Sequence, residues 1–439
     1  MKSFYEYFAI NSAVSRLYRN AGILMTGNIS SSLIGLVSLA VLTRALPLEQ
    51  FGVYVLIVSL VNILDRLTSF QTWQALIHFG SQAVEKSDNT QLTSLFLFGW
   101  MLDVAGGLVG YIGAITVVMW FPEIFGLGEE ALFLVAIAAS ALIFNWLSSP
   151  TAIMRIFNRF YAQAIYHNIT AIVLLFFITL IWMLDIEDLL LYVSAFAVSR
   201  IVGQFVFIGL SVREAKIQGL WSSSQIDFKD MFEKSPRLWN FVFLTNLDGM
   251  VRVFRELDIF IVNFFMGSAS VALYKVARSL TKVFGKLTSP LFQATYPEMA
   301  RFCAQKKYSE MVRMMRHASL SLGSLAAVVW LIFALFGPYI LPIIFNPSYM
   351  DAFLVSLACM AAMVVWAFAQ SLSPAMMAFG KIKSLLLIHI FATIIYIIIL
   401  LISVKHYSLL GAGVSLVVFY LLWSGATLIV FLKSLKEKK

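Results

Sequence analysis

Apolar residues run along this chain in long blocks separated by short polar connections. A bilayer core is crossed by about 20 apolar residues in a helix. Twelve segments meet that length: 21–43, 51–78, 92–120, 131–150, 162–184, 189–212, 238–266, 270–296, 318–345, 352–378, 384–404 and 408–432. They are expected to be helices, because lipid offers no partner to an unpaired backbone N–H or C=O. The internal prolines Pro290, Pro338, Pro342 and Pro374 predict local kinks. The fold class read from this pattern is an all-α polytopic membrane protein.

Composition agrees. Hydrophobic residues make up 60% of the 439 and charged residues 13%. Soluble domains run near half apolar and a quarter charged, so a water-soluble fold is excluded. Residues 1–20 are mixed and lack the short apolar core of a cleavable signal, so the first apolar block reads as a span. Cys303 falls in a basic connection and Cys359 in an apolar run, and both read as unpaired thiols.

Charge gives the orientation. Of the 32 Lys and Arg, 22 lie at the termini or in every second connection, and the opposite connections carry only Arg44 and Lys405. By the positive-inside rule both termini are expected in the cytoplasm. The net charge of +9 is therefore an orientation signal spread over many connections, which argues against nucleic acid as a partner.

The chain is close to twice 220 residues, and at that offset 51–70 aligns with 271–290. Tyr54, Ser59, Leu60, Leu67, Thr68 and Ser69 match Tyr274, Ser279, Leu280, Leu287, Thr288 and Ser289, and Arg66 meets Lys286. An even number of spans per half sets the halves in the same orientation, which predicts two six-helix lobes related by an axis along the membrane normal. The expected division is an N-terminal lobe at 1–212, a cytoplasmic linker at 213–237 and a C-terminal lobe at 238–439.

Eight cations fall inside predicted spans: Arg66, Arg200, Arg252, Arg255, Lys275, Arg278, Lys282 and Lys286. Five acids join them: Asp65, Asp103, Asp248, Glu256 and Asp258. A charge at helix centre costs roughly 2.5–3.5 kcal/mol on insertion scales and usually faces a polar interior. The plain alternative is mutual neutralisation. In the seventh span Asp248 and Arg252, Arg252 and Glu256, and Arg255 and Asp258 stand three or four apart and can pair locally. The eighth span has no acid to match Lys275, Arg278, Lys282 and Lys286. On a helix these four fall within an arc of about 80° and rise about 16 Å. Six cations against three acids leave the two spans with three positive charges. Such a ladder must line a water-filled cavity or meet an anion. Arg suits bidentate contact with phosphate oxygens and Lys supplies a movable point charge.

No other chemistry stands out. His78, His167, His317, His389 and His406 are scattered without metal-ligand spacing, and there is no phosphate loop, metallopeptidase helix or dinucleotide turn. No metal and no cofactor is expected, and transport is not driven by ATP bound to this chain.

The stretch Leu42–Leu60 (LTRALPLEQFGVYVLIVSL) resembles the opening of the polysaccharide-transporter branch of the multidrug/oligosaccharidyl-lipid/polysaccharide exporter superfamily. There a first helix ends at Thr-Arg-x-Leu and a small turn leads to Phe-Gly-x-Tyr. Asp258 followed by Val271–Leu280 (VALYKVARSL) is similar to its second half, and Ala294–Arg301 (ATYPEMAR), Phe345–Ala352 (FNPSYMDA) and Gly380–Lys381 fit as well. The resemblance covers nearly the whole chain. It implies two six-helix lobes in a V around a central cavity, here cationic, and the activity of an O-antigen flippase. Such a protein moves an undecaprenyl-pyrophosphate-linked repeat unit across the bacterial inner membrane, with glycan polymerase or other assembly proteins as partners. The site residues it suggests are Arg252, Arg255, Lys275, Arg278, Lys282 and Lys286, with Arg66 and Arg200 from the other lobe. Many members spread cavity cations over both lobes, whereas here the excess lies in the second.

A drug exporter of the same superfamily fits less well, because net positive charge repels cationic drugs. A membrane-embedded glycan polymerase or ligase usually carries a large outer loop, and the longest here is 121–130. A lipid scramblase without a coupling ion stays open, as does a flippase of another lipid-linked envelope precursor. Asp248, Glu256, Asp258, Asp103 and Asp65 are the candidates for coupling to H⁺ or Na⁺.

Overall fold

A computed structural model of the chain describes the backbone at residues 2–70, 72–126, 130–220 and 226–438. Inside its helices, the side chains of residues 2–21, 23, 24, 244, 245, 247–252, 282–298, 300, 304 and 438 lie outside the description. Every regular element among the described residues is helical. The α-helices are α1 (Lys2–Ala45), α2 (Leu48–Thr68), α3 (Trp73–Glu85), α4 (Asn89–Trp120), α5 (Glu130–Ile143), α6 (Ser148–Ile156), α7 (Tyr161–Met183) and α8 (Leu189–Ile217). They continue with α9 (Phe228–Lys234), α10 (Leu238–Val253), α11 (Asp258–Ala304), α12 (Tyr308–Ile344), α13 (Ala352–Ala369), α14 (Leu372–Ala378) and α15 (Ile382–Lys438). Polar side chains start several of them. Asp88 accepts from the Gln91 N–H at 2.9 Å and Asp188 from the Leu190 N–H at 2.9 Å, each capping an otherwise orphan donor.

Ten helices among the described residues are long and apolar enough to cross a membrane. One of them, Ile382–Glu437, is 56 residues long and is interrupted at Ser408 (φ 53°, ψ −144°). Gly267 (φ 79°, ψ 175°) similarly turns α11 in the left-handed region that glycine tolerates.

Only some interruptions follow the prolines. The predicted span 352–378 breaks at 370–371, between α13 and α14, just before Pro374. Helix α12 continues through Pro338 and Pro342, and Pro374 sits in the short α14. The side chain of Pro290 lies outside the described residues. The predicted span 238–266 is interrupted by a 3₁₀ turn at Phe254–Leu257. Two more are split away from Pro290, Pro338, Pro342 and Pro374: 51–78 between α2 and α3, and 131–150 between α5 and α6. Non-helical backbone at membrane depth is tolerated where it is buried in protein or faces a polar cavity. Gly106 and Gly107 of α4 meet the two broken ends. A Cβ on Gly106 would stand 2.3 Å from the Thr68 carbonyl oxygen, and one on Gly107 2.3 Å from that of Leu142.

The chain forms two compact units. The first comprises Met1–Ser38, Leu60–Glu123 and Leu127–Met250, and the second Leu39–Ser59, Ile124–Gly126 and Val251–Lys439. A core of the first gathers Leu76, Phe79, Leu92, Leu95, Phe96 and Ile153 with Leu238 and Val242 of α10. In the second, α13 packs against α11, α12 and α15.

The second unit also explains the opening motif. Arg44 Nε donates to the Phe345 carbonyl at 2.8 Å and Nη2 to that of Ile343, so the end of α1 caps the end of α12. Phe51 is buried and stands edge-on to Tyr349, with ring centroids 6.2 Å apart. A Cβ on Gly52 would lie 1.9 Å from the Ser268 carbonyl oxygen, so only glycine fits against the turn at Gly267.

Candidate functional site

Several of the described charged residues of the spans gather into two clusters, one in each unit. In the first unit Arg200 of α8 reaches Asp65 of α2, with Nη2 2.6 Å from Oδ2, and its Nη1 donates to Asn62 Oδ1 at 3.2 Å. Asn145, in the gap between α5 and α6, donates to Asp65 Oδ1 and accepts from Gln204 Nε2 at 3.2 Å. Asp65 is thus held by an arginine and an amide, the compensation a carboxylate needs away from water. Arg66 is exposed at the end of α2.

Asp103 of α4 is only 3% exposed, and its Oδ2 accepts from the Ser148 backbone N–H at 2.8 Å. That N–H opens α6, so the carboxylate sits against the positive end of the half-helix. Asp103 makes no ion pair among the described residues. A cavity of about 270 Å³ lies beside it, lined by both breaks and by Asp65, Asp103, Asn145, Ser148 and Arg200. Trp73 and Gln163 also line it, and Arg155, outside the lining, braces both. Its guanidinium lies 4.1 Å from the Trp73 ring centroid and its Nη2 donates to Gln163 Oε1 at 3.0 Å.

In the second unit Asp258 is 1% exposed at the start of α11. Its Oδ2 accepts from the Tyr274 hydroxyl at 2.8 Å and the Tyr396 hydroxyl at 3.1 Å, and lies 3.4 Å from Arg278 Nη2. Its Oδ1 accepts from the Ile259 N–H at 2.9 Å. The local Arg255–Asp258 pair expected from spacing is not formed. A 3₁₀ turn at Phe254–Leu257 removes the regular α-helical register at that point, and the Arg255 guanidinium lies 5.3 Å from the Phe419 ring centroid. Glu256 lies in the same turn.

Lys275 and Arg278 stand on a stretch of α11 that is helical without interruption from 268 to 304. Lys282 and Lys286 share that backbone, but their side chains, with those of Asp248 and Arg252, lie outside the described residues. Arg278 is therefore engaged by an acid from the start of its own helix. Tyr396 and the Asn62–Asn145–Gln204 amides were not singled out from the sequence. A tyrosine or amide in an apolar span carries no formal charge, and its partners here are up to 138 residues away.

A sequence profile of the family described as polysaccharide biosynthesis protein matches residues 17–303. The chain belongs to that family. That membership, with the relatives below, supports the polysaccharide-transporter branch of the exporter superfamily that its motifs resemble. The "Putative O-antigen transporter" of Shigella flexneri is 26% identical over 399 residues, spanning 88% of this chain and 90% of that protein. "Inner membrane protein YghQ" of Escherichia coli (strain K12) is 22% identical over 349 residues, spanning 79% and 98%. Among solved structures, the lipid II flippase MurJ in an inward closed conformation superposes with a TM-score of 0.70 at 13% identity, covering 94% of this chain and 90% of that one. That likeness is one of fold.

Proposed function

We propose that the protein is a flippase that carries an undecaprenyl-pyrophosphate-linked oligosaccharide, an O-antigen or related repeat unit, from the cytoplasmic to the periplasmic leaflet of the bacterial inner membrane. Family membership over residues 17–303 is the observation that carries this reading. The names of the relatives and the shared fold of a lipid II flippase support it. The protein moves its substrate without making or breaking a covalent bond.

In this reading the chain crosses the membrane twelve times, with the 56-residue helix counted as two crossings and the 16-residue α10 beginning the seventh. Both termini are cytoplasmic. Two lobes, 1–212 and 238–439, joined by 213–237, rock in a V to expose a central cationic cavity to each side in turn. Lys275, Arg278, Lys282 and Lys286, with Arg252 and Arg255, meet the pyrophosphate, and the unbroken helix under the ladder supports their common face. The polyprenyl tail stays in lipid.

Return of the empty carrier is coupled to H⁺ or Na⁺ at a buried acid. Asp103 has the strongest support, because Asp65 and Asp258 already face arginine. Purified protein in proteoliposomes, given a labelled lipid-linked oligosaccharide with and without H⁺ or Na⁺ gradients, tests the reading. Protein-dependent transfer between leaflets, accelerated by one gradient, is the expected result. No transfer under any gradient would refute it.

A further inference from the structure

The cavity of the first unit is distinct from the cationic ladder of α11, and its walls call for a different ligand. Its volume of about 270 Å³ has room for roughly nine waters at ~30 Å³ each, far more than a bare ion needs. Its walls are mixed. Trp73, Tyr166 and Phe207 give flat ring faces, and Asn145, Gln163 and Thr151 give donors and acceptors. An apolar ligand would leave those polar groups unpaired, at a cost each time. A phosphate would meet Asp65 and Asp103, and the one cation in the lining, Arg200, is already 2.6 Å from Asp65. The positive end of α6 is likewise occupied, by Asp103.

Two discontinuous helices converge on the same space. The gap after α2 contributes Ser69, and the gap after α5 contributes Asn145 and Leu147. In transporters, interrupted spans mark the place where substrate is held. The walls are also held in place in advance. Gln163 Oε1 is fixed by Arg155, which in turn braces the Trp73 ring, while the Gln163 amide N–H groups have no protein partner among the described residues.

We propose that this cavity is a subsite for one neutral, hydroxyl-rich sugar ring. The carboxylates and amides meet the hydroxyls, and the aromatic rings meet the C–H faces of the pyranose. The lining sets two carboxylates against Arg200, which is already paired with Asp65. The Arg155 guanidinium is engaged by Trp73 and Gln163, so the described walls present no unengaged cation to an acidic sugar. The source of the sugar, the glycan of the lipid-linked substrate, rests on the flippase reading; the binding itself does not.

The test is saturation-transfer NMR on the full chain in nanodiscs, with methyl glucoside, methyl galactoside, methyl N-acetylglucosaminide and glucuronate as probes. At least one neutral ring should receive transfer, with glucuronate at least about fivefold weaker. Gln163→Leu and Trp73→Ala should each reduce the neutral signal at least about fivefold, and Lys383→Gln, at an exposed lysine outside the site, should leave it unchanged. Thermal unfolding of each variant checks its fold, and if Trp73→Ala unfolds, Gln163→Leu decides. Equal signals from glucuronate and hexosides, no signal from any hexoside, or a signal indifferent to a folded Gln163→Leu would overturn the proposal. Hexoside binding by a protein that translocates nothing would leave the subsite standing and refute the flippase reading alone.

Discussion

Arg278 Nη2 lies 3.4 Å from Asp258 Oδ2, and that oxygen already accepts shorter bonds from the hydroxyls of Tyr274 and Tyr396. The arginine is the longest of the contacts on a carboxylate that is 1% exposed. Asp258 therefore stays hydrogen-bonded if Arg278 moves away, while a lone arginine among apolar helices has no such support. The two residues are unequal partners, and that sets the first prediction.

Removing one member of a buried pair costs about 3–5 kcal/mol when the other is left uncompensated. Arg278→Gln leaves Asp258 with its two tyrosines and the Ile259 N–H, so the loss should fall at or below the lower end of that range. Adding Tyr274→Phe removes a further donor and should cost about 1–3 kcal/mol more. Thermal unfolding in detergent ranks the single and double variants. Asp258→Asn in the Arg278→Gln background should recover most of the loss, and failure to recover would mean the pair is not the source of the effect.

The turn at Gly267 gives the second prediction. Gly52→Ala would put a methyl group 1.9 Å from the Ser268 carbonyl oxygen, so backbone must shift. Overpacking of this kind costs typically ~1–3 kcal/mol, occasionally more. Gly35→Ala meets nothing within 4 Å and should be neutral or slightly stabilising, since alanine favours helix. Equal abundance of the two variants in the membrane would contradict the close approach.

Orientation supplies the third. With Cys303 and Cys359 replaced by serine and alanine, a cysteine at the exposed Lys436 should react with an impermeant maleimide only after the cells are opened. One at the exposed Glu123 should react in intact spheroplasts. The reverse pattern would invert the topology.

Much of this was legible in the sequence, and the illegible part has a physical cause. Long apolar blocks locate helices because lipid forces the backbone to satisfy itself. The same blocks hide where a helix breaks. In the run 131–150 the few polar residues, Asn145, Ser148 and Ser149, do not by themselves mark a break, and Gly106 and Gly107, far along the chain, make room for the broken ends of α2 and α5. Charge counting found the Asp65, Arg200, Asp258 and Arg278 positions but not who meets whom. It paired Asp258 with Arg255 by helical spacing, and the 3₁₀ turn at Phe254–Leu257 defeats that spacing. Arg44 was read only as an orientation signal and as part of a motif, and its role in capping α12 becomes visible only when Phe345 is beside it.

The central claim is that the ladder of α11 holds the anionic head group, and one measurement addresses it directly. Lys282 and Lys286 are both changed to Gln, and translocation of an undecaprenyl-pyrophosphate-linked glycan is followed in proteoliposomes at matched protein abundance. Neutralising cations that serve an anionic substrate leaves no carboxylate unpaired, so abundance and unfolding temperature should hold or rise while transport falls at least about tenfold. Arg at both positions should keep partial activity, because a guanidinium also binds phosphate. Full transport by the double Gln variant would contradict the account.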